Sequence, residues 1–203
     1  MPVLSSRLHL RDARHGLQTE GAFFVPEALT DRCRQAIQQE IEHHSYVVLP
    51  EQVGPVRTQA ELFVLEDVAH LPAPIDRLHR ELTHLVQEDL GDIEGVDLWH
   101  PNDVSIQRYA PNTQGISPHL DSKRYVHLIA IFTTEGSALF RLCKDRSGPV
   151  LKEWGTTPGS LVLMRAPGFA GLKDGRPFHT VEGPRTGSRY SVTFRMDSQR
   201  RAP

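Results

Sequence analysis

The sequence predicts a mainly β fold with supporting α-helices, in the form of an antiparallel sandwich or barrel. Three observations predict it. Helical periodicity is confined to the first half of the chain. From about residue 95, short β-rich runs alternate with turn residues. The chain has 203 residues, enough for one domain with a real core, and shows no internal repeat or long low-complexity linker. Helices first and many short strands afterwards fit a β core propped by helices.

Taken in order, residues 1–20 are polar and are expected to be loosely ordered. Residues 21–26, Gly-Ala-Phe-Phe-Val-Pro, read as a short strand. Thr30 or Asp31 can cap a helix whose apolar side carries Cys33, Ile37 and Ile41 at spacing four. A second helix is expected over about 74–90. Ile75, Leu78, Leu82, Leu85 and Val86 form its stripe, and Gly91 follows as a stop. Strands are then expected over 104–109, 125–133, 138–142, 160–165 and 189–194. The turn signals between them include Glu135-Gly136, Ser147-Gly148-Pro149 and Pro158-Gly159. The whole of 1–203 is expected to be one domain. Residues 1–95 would supply helical support and lid elements, and 96–198 the β core.

Composition excludes some function classes. The formal charge is -2, with 38% hydrophobic and 24% charged residues, so no basic balance points to nucleic acid. No run approaches the ~18 apolar residues of a membrane span. The charged N-terminal segment leads into no apolar stretch of the secretory type. The two cysteines, Cys33 and Cys143, have neither disulfide-type nor metal-type spacing and fit a reduced, cytoplasmic setting.

The chemistry concentrates in the second half. In an extended segment residues i and i+2 point the same way. His119 and Asp121 can therefore face one point while Leu120 packs away. A third ligand must come from a distant strand, and Phe178-His179-Thr180-Val181 offers His179. Two imidazoles and one carboxylate on one side of a metal leave positions open, the arrangement of non-haem iron oxygenases. Zinc also accepts two histidines and a carboxylate.

Ten residues beyond His179 comes Arg189-Tyr190-Ser191-Val192-Thr193-Phe194-Arg195. Arg189, Ser191, Thr193 and Arg195 share one face of this strand, and Tyr190, Val192 and Phe194 share the other. Arginines on an inner face are costly to bury unpaired. A dicarboxylate such as 2-oxoglutarate would satisfy them, because a guanidinium fork matches a carboxylate at two points. The alternative is an ion pair to Asp or Glu at a sheet edge, and it weighs most for Arg195.

The chain resembles the Fe(II)/2-oxoglutarate-dependent dioxygenases, and within them the AlkB-like branch. The residues that carry the resemblance are Gln107-Arg108-Tyr109-Ala110-Pro111, Ile116-Ser117-Pro118-His119-Leu120-Asp121, His179, and the strand from Arg189 to Arg195. They span about residues 104–196. The resemblance implies a double-stranded β-helix, the jelly-roll or cupin-like core. It implies iron ligands His119, Asp121 and His179, with Arg189 on the distal carboxylate of 2-oxoglutarate. Tyr109 matches the tyrosine whose hydroxyl contacts the cofactor, and Arg195 matches the second arginine of the strand. Gln107 and Ser191 each stand where the branch has asparagine, and both keep hydrogen-bonding groups. The implied reaction couples O2 and 2-oxoglutarate to oxidation of an unactivated C–H bond, giving succinate and CO2, with ascorbate as reductant in vitro.

Two substrate classes follow. One is a small molecule, such as an amino acid or a natural-product intermediate. The other is an alkylated base in nucleic acid, which requires a basic groove and stacking aromatics. The N-terminal half mixes Glu40, Glu42, Glu51, Glu61, Glu66 and Asp67 with Arg32, Arg34, Arg57 and Arg77, and holds few aromatics. That favours the small molecule. Lys123, Arg124, Arg165 and His100 are candidates for binding an anionic substrate or for solvated surface charge. Trp99, Trp154 and Phe169 are candidates for a pocket or for packing. The Gly- and Pro-rich stretch 166–177 reads as a mobile flap or an ordinary connection.

Overall fold

The computed structural model describes residues 2–65, 67–147 and 149–200. Glu66, and Gly148 of the expected turn, lie outside them. The elements run α1 (Ala13–Thr19), β1 (Ala22–Val25), α2 (Asp31–Ile41), β2 (Val47–Val48), β3 (Gln52–Val53), β4 (Val56–Arg57), β5 (Glu61–Leu65) and α3 (Ala73–Leu90). There follow β6 (Asp103–Tyr109), β7 (Ile116–His119), β8 (Tyr125–Glu135), β9 (Ala138–Cys143), β10 (Val150–Thr156), β11 (Leu161–Arg165), β12 (Phe178–Val181) and β13 (Arg189–Asp197). The large sheet has the order β1-β11-β8-β13-β6-β5-β2 and the small one β10-β9-β12-β7, while β3 and β4 form a hairpin. Pairing is antiparallel throughout both sheets. This is the expected jelly-roll with helical support.

Local chemistry explains the helices. Thr30 is extended (φ -71°, ψ 146°), and its side chain accepts a hydrogen bond from the Cys33 N–H, which caps α2. Cys33, Ile37 and Ile41 are buried along that helix. In α3, Pro74 sits in the first turn, where its missing N–H costs nothing. Ile75, Leu78, Leu82, Val86 and Leu90 are fully buried, and Leu85 packs at the margin.

The large sheet separates two cores. On its outer face Val104, Ile106, Phe132, Leu163, Val192 and Phe194 pack with the apolar sides of α2 and α3. On its inner face Ile129, Val162 and Met164 meet Phe140, Leu142 and Val181 of the small sheet. Alternation along β13 thus sends Val192 and Phe194 to the helices and Ser191 and Thr193 inward, as period two requires. No described helix is long and apolar enough to cross a membrane.

Three expectations change. Residues 2–20 are packed against the rest of the chain: Leu10, Ala13 and Leu17 are fully buried, Leu4 bridges Leu29, and the Glu81 carboxylate accepts from the Val3 N–H at 2.9 Å. Leu10, Ala13 and Leu17 stand at helical spacing, and the last two lie on α1, but the period is too short to stand out among the polar residues around it. The helices of the first 95 residues lie on the outer face and are not a lid; what approaches the site side is the hairpin β3–β4, whose neighbour Thr58 bridges Ile116. The sequence reading also lacked β5, inside the large sheet, and β10, whose exposed Lys152 and Glu153 hide the alternation.

Candidate metal and cofactor site

His119 and His179 face each other directly in the β7–β12 ladder, their ring centres 4.2 Å apart. The next pair is Ile116 with Val181, so three steps on β7 match two on β12. A bulge at Ser117-Pro118 absorbs the difference and lets Ile116 and His119 share the inner side. Proline is tolerated there because β7 is an edge strand of the small sheet. Asp121 lies two residues beyond His119 and turns back to the same point. One ligand atom from each of His119, Asp121 and His179 lies within 4.8 Å of the others, and Asp121 Oδ2 is 3.8 Å from His179 Nε2.

Neighbours orient the imidazoles. His119 Nδ1 is 2.9 Å from the Ser117 carbonyl, and His179 Nδ1 is 3.2 Å from that of Pro177. A carbonyl only accepts, so each Nδ1 carries the proton and each Nε2 lone pair is left for a metal. Phe140 stacks on the His179 ring at 5.3 Å.

Burial, and then His179 beside it, pushes His119 down to about 4, although Asp121 pulls the other way. Burial raises the Asp121 carboxyl, but His179, His119, Arg195 and Arg176 outweigh it and hold it below the usual carboxylate range. His119 therefore offers a nitrogen lone pair and Asp121 a carboxylate at neutral pH, and together with His179 this donor set fits a divalent metal with coordination positions left open.

Behind the ligands stands Arg189, 1% exposed. Its Nη2 donates to Thr133 Oγ1 at 3.0 Å and its Nη1 to Ser191 Oγ at 3.4 Å. Its Nε has no partner, and no carboxylate among the described residues pairs with it. Burial lowers the pKa of its guanidinium, against an opposing effect from Tyr109. A buried cation held only by hydroxyls fits an anionic ligand. Tyr109 lies opposite Arg189 in the ladder, and its hydroxyl donates to Gln107 Oε1 at 3.4 Å. Ser191 lies opposite Gln107.

Arg195 differs. It is bound to Asp103 at 3.0 Å, donates to Ser105 and lies over the Tyr125 ring. The ion pair weighed from the sequence is thus what the structure shows, although Arg195 still borders the site. All eight sequence-predicted residues, His119, Asp121, His179, Arg189, Tyr109, Arg195, Gln107 and Ser191, line one cavity between the sheets, together with Thr193, Ile116, Ile129 and Ile131.

The other candidates scatter. Lys123 pairs with Asp174, Arg124 with Asp197, and Arg165 donates to the Leu17, Gln18 and Gly175 carbonyls. Trp99 is buried and donates to the Leu128 carbonyl at 2.8 Å, and Phe169 is core. Trp154 stacks near Phe24. Sequence reasoning missed Thr133, which period two places on the face of Ile129 and Ile131, and Asp103, the partner of Arg195.

No protein-family model matches the chain, and no curated protein matches it. Solved structures do. A Pseudomonas putida prolyl-4-hydroxylase superposes with a TM-score of 0.64 at 14% identity, over 93% of this chain and 99% of that one. A Trichoplax adhaerens prolyl hydroxylase, in complex with a hypoxia-inducible-factor oxygen degradation domain peptide fragment, gives 0.62 at 15%, over 91% and 87%. A Burkholderia pseudomallei oxidoreductase of the 2OG-Fe(II) oxygenase family gives 0.62 at 13%, over 99% and 100%. These matches lend no support to the AlkB-like branch. Across nearly its whole length, this chain has the fold of 2OG-Fe(II) oxygenases.

Proposed function

We propose that this chain is a non-haem Fe(II)- and 2-oxoglutarate-dependent dioxygenase that hydroxylates an unactivated C–H bond of a small-molecule substrate. The observation that carries the reading is Arg189, a buried guanidinium with no carboxylate partner, in the cavity that holds His119, Asp121 and His179. A structural zinc site has no use for such a group. His119, Asp121 and His179 would hold the iron. Arg189, with Thr133 and Ser191 beside it, would hold the distal carboxylate of 2-oxoglutarate. Tyr109 and Gln107 supply further hydrogen bonds, and Ile129 and Ile131 exclude water. The bound iron and 2-oxoglutarate supply the oxidising chemistry, with O2 as oxidant.

Polarity along the large sheet supports an apolar substrate. Val47, Leu62, Gln107, Ser191 and Thr133 are successive cross-strand partners and share one face. Ser191 and Thr133 are buried at the covered end, whereas Val47 is 70% exposed at the open end. Burial and polarity run opposite to the usual pattern, so the hydroxyls suit the cofactor and the aliphatics suit a substrate lying beside it. The AlkB-like alternative, demethylation of an alkylated nucleic-acid base, needs a groove of free cations, yet beside the site Lys123, Arg124 and Arg176 are paired with carboxylates, and Arg146, on the Pro118 carbonyl and the Phe178 ring, is a single cation without one among the described residues. An aliphatic group carried on a peptide would fit the same face.

The test is succinate formation with Fe(II), ascorbate and 2-oxoglutarate, screened over amino acids, apolar metabolites, short peptides and methylated oligonucleotides. Turnover with an apolar substrate that vanishes in His179→Ala is expected. The reading fails if nothing yields succinate and 2-oxoglutarate does not raise the melting temperature of the Mn(II)-loaded protein.

A further inference from the structure

We propose that Arg176 is a positioning residue for the iron ligand Asp121, and that residues 174–177 are a strap orienting two of the three ligands. The inference rests on the iron site described above. β7 ends at His119, so no strand ladder fixes the main chain at Asp121. The Arg176 guanidinium does so instead, with Nη1 donating to the Asp121 main-chain oxygen. The rest of the guanidinium is clamped. Nε and Nη2 form a two-point fork on the Asp174 carboxylate, 2.8 Å each, and Lys123 Nζ lies 3.4 Å from the same carboxylate.

The Arg176 side chain is 11% exposed while its partner Asp174 is 36% exposed, so the fork holds a largely covered guanidinium from its solvent side. Lys123 follows Asp121 by two residues, and Arg176 precedes His179 by three. The network therefore ties together the two segments that carry these ligands. The next residue, Pro177, gives its carbonyl to His179 Nδ1. Consecutive residues thus orient ligands on two separate segments. The strap is itself anchored, because Arg165 Nε donates to the Gly175 carbonyl. The stretch that reads as a flap or connection in the sequence is a brace against the metal.

A residue of this kind controls how well three ligands meet, and loss of such outer contacts costs about 10–100-fold in metal affinity. Co(II) is the probe, titrated into the full chain and followed by its visible absorption. Wild-type protein is expected to bind one Co(II), and His179→Ala is expected to lose it. Arg176→Met should weaken binding by about 10–100-fold. Arg176→Lys should fall between, since lysine keeps the charge without the fork. Melting of the metal-free variants separates positioning from folding: a lower melting temperature with an unchanged Co(II) affinity overturns the proposal. If Arg176→Met does not fold, Asp174→Asn, which releases the fork, decides instead; weaker binding supports the proposal and unchanged binding overturns it. Failure of wild-type protein to bind Co(II) at all would remove the iron site itself, a different result from Arg176→Met binding as tightly as wild type.

Discussion

Arg189 and Tyr109 face each other across the β6–β13 ladder, with the guanidinium carbon 5.7 Å from the ring centre. Both are 1% exposed. One register thus places a buried cation, a buried phenol and, two residues along, Ser191 and Gln107 on the face that looks at the metal ligands.

Arg189 is expected to be needed for the cofactor and dispensable for folding. Arg189→Met removes a buried charge that has only hydroxyl partners, so the metal-free protein should unfold at the same or a higher urea midpoint. Charge-assisted hydrogen bonds of about 1.5–3 kcal/mol each would be lost to 2-oxoglutarate, so its affinity should fall at least about 10-fold. Calorimetry on Mn(II)-loaded protein checks the second part. Equal 2-oxoglutarate affinity in the variant would disprove the assignment.

Arg195, six residues along the same strand, should behave in the opposite way. Its removal leaves buried Asp103 with Arg200, 3.3 Å away and partly exposed, as the remaining ion-pair partner among the described residues. Breaking a buried pair costs about 3–5 kcal/mol, and the remaining partner should reduce that to about 2 kcal/mol for Arg195→Met. Urea denaturation of the metal-free protein reads this directly. A variant as stable as wild type would show that Asp103 does not depend on Arg195.

Stability should fall as the pH drops below neutrality. His119 sits at about 4 in the folded chain against 6.5 when unfolded, mainly through burial. Between those values the unfolded chain binds the proton first, so stability of the metal-free protein is lost as pH falls from 6.5 towards 4. Asp121, held below its usual 3.8, adds a loss of the same sign at still lower pH. Urea midpoints at pH 7, 5.5 and 4.5 are expected to descend, and His119→Gln should flatten the upper part of that slope. A wild-type midpoint that does not change over this range would contradict the prediction.

Gly115 leads into β7 with φ +74°, and a Cβ there would lie 2.0 Å from the Val181 carbonyl oxygen. Gly115→Ala must both strain the backbone and push β7 off β12. The expected cost is at least about 2 kcal/mol of stability, with weaker metal binding because β7 carries His119. An unchanged urea midpoint would rule out that close approach.

The site was more legible in the sequence than its supports. Period two along Arg189–Arg195 and the i, i+2 spacing of His119 and Asp121 are local rules, and Arg189, Ser191, Arg195, His119 and Asp121, which they indicate, meet in one cavity with His179 and with Tyr109 and Gln107, which the resemblance implied. Arg176 is different: Asp174 is a neighbour two residues away, but the approach to Asp121, 55 residues away, depends on the fold and no spacing encodes it. The packing of the N-terminal residues and the strand β5 were likewise hard to read, since the Leu10, Ala13, Leu17 period is only about two turns long and Phe63 finds its neighbours only in three dimensions. The second arginine, Arg195, looked like a cofactor anchor because a strand face cannot reveal that Asp103 stands opposite.

β13 follows all the other described strands in chain order, yet it lies at the middle of the large sheet, between β8 and β6. As the chain is synthesised, β6 and β8 must wait with one edge each unpaired. Closure then demands pairings between distant parts of the chain, which are slow to form. Because β13 also brings Arg189, the proposed cofactor site would be complete only when that central gap has closed. Under the proposed function, retention of 2-oxoglutarate would report completed folding of the whole sheet and not the local order of any segment.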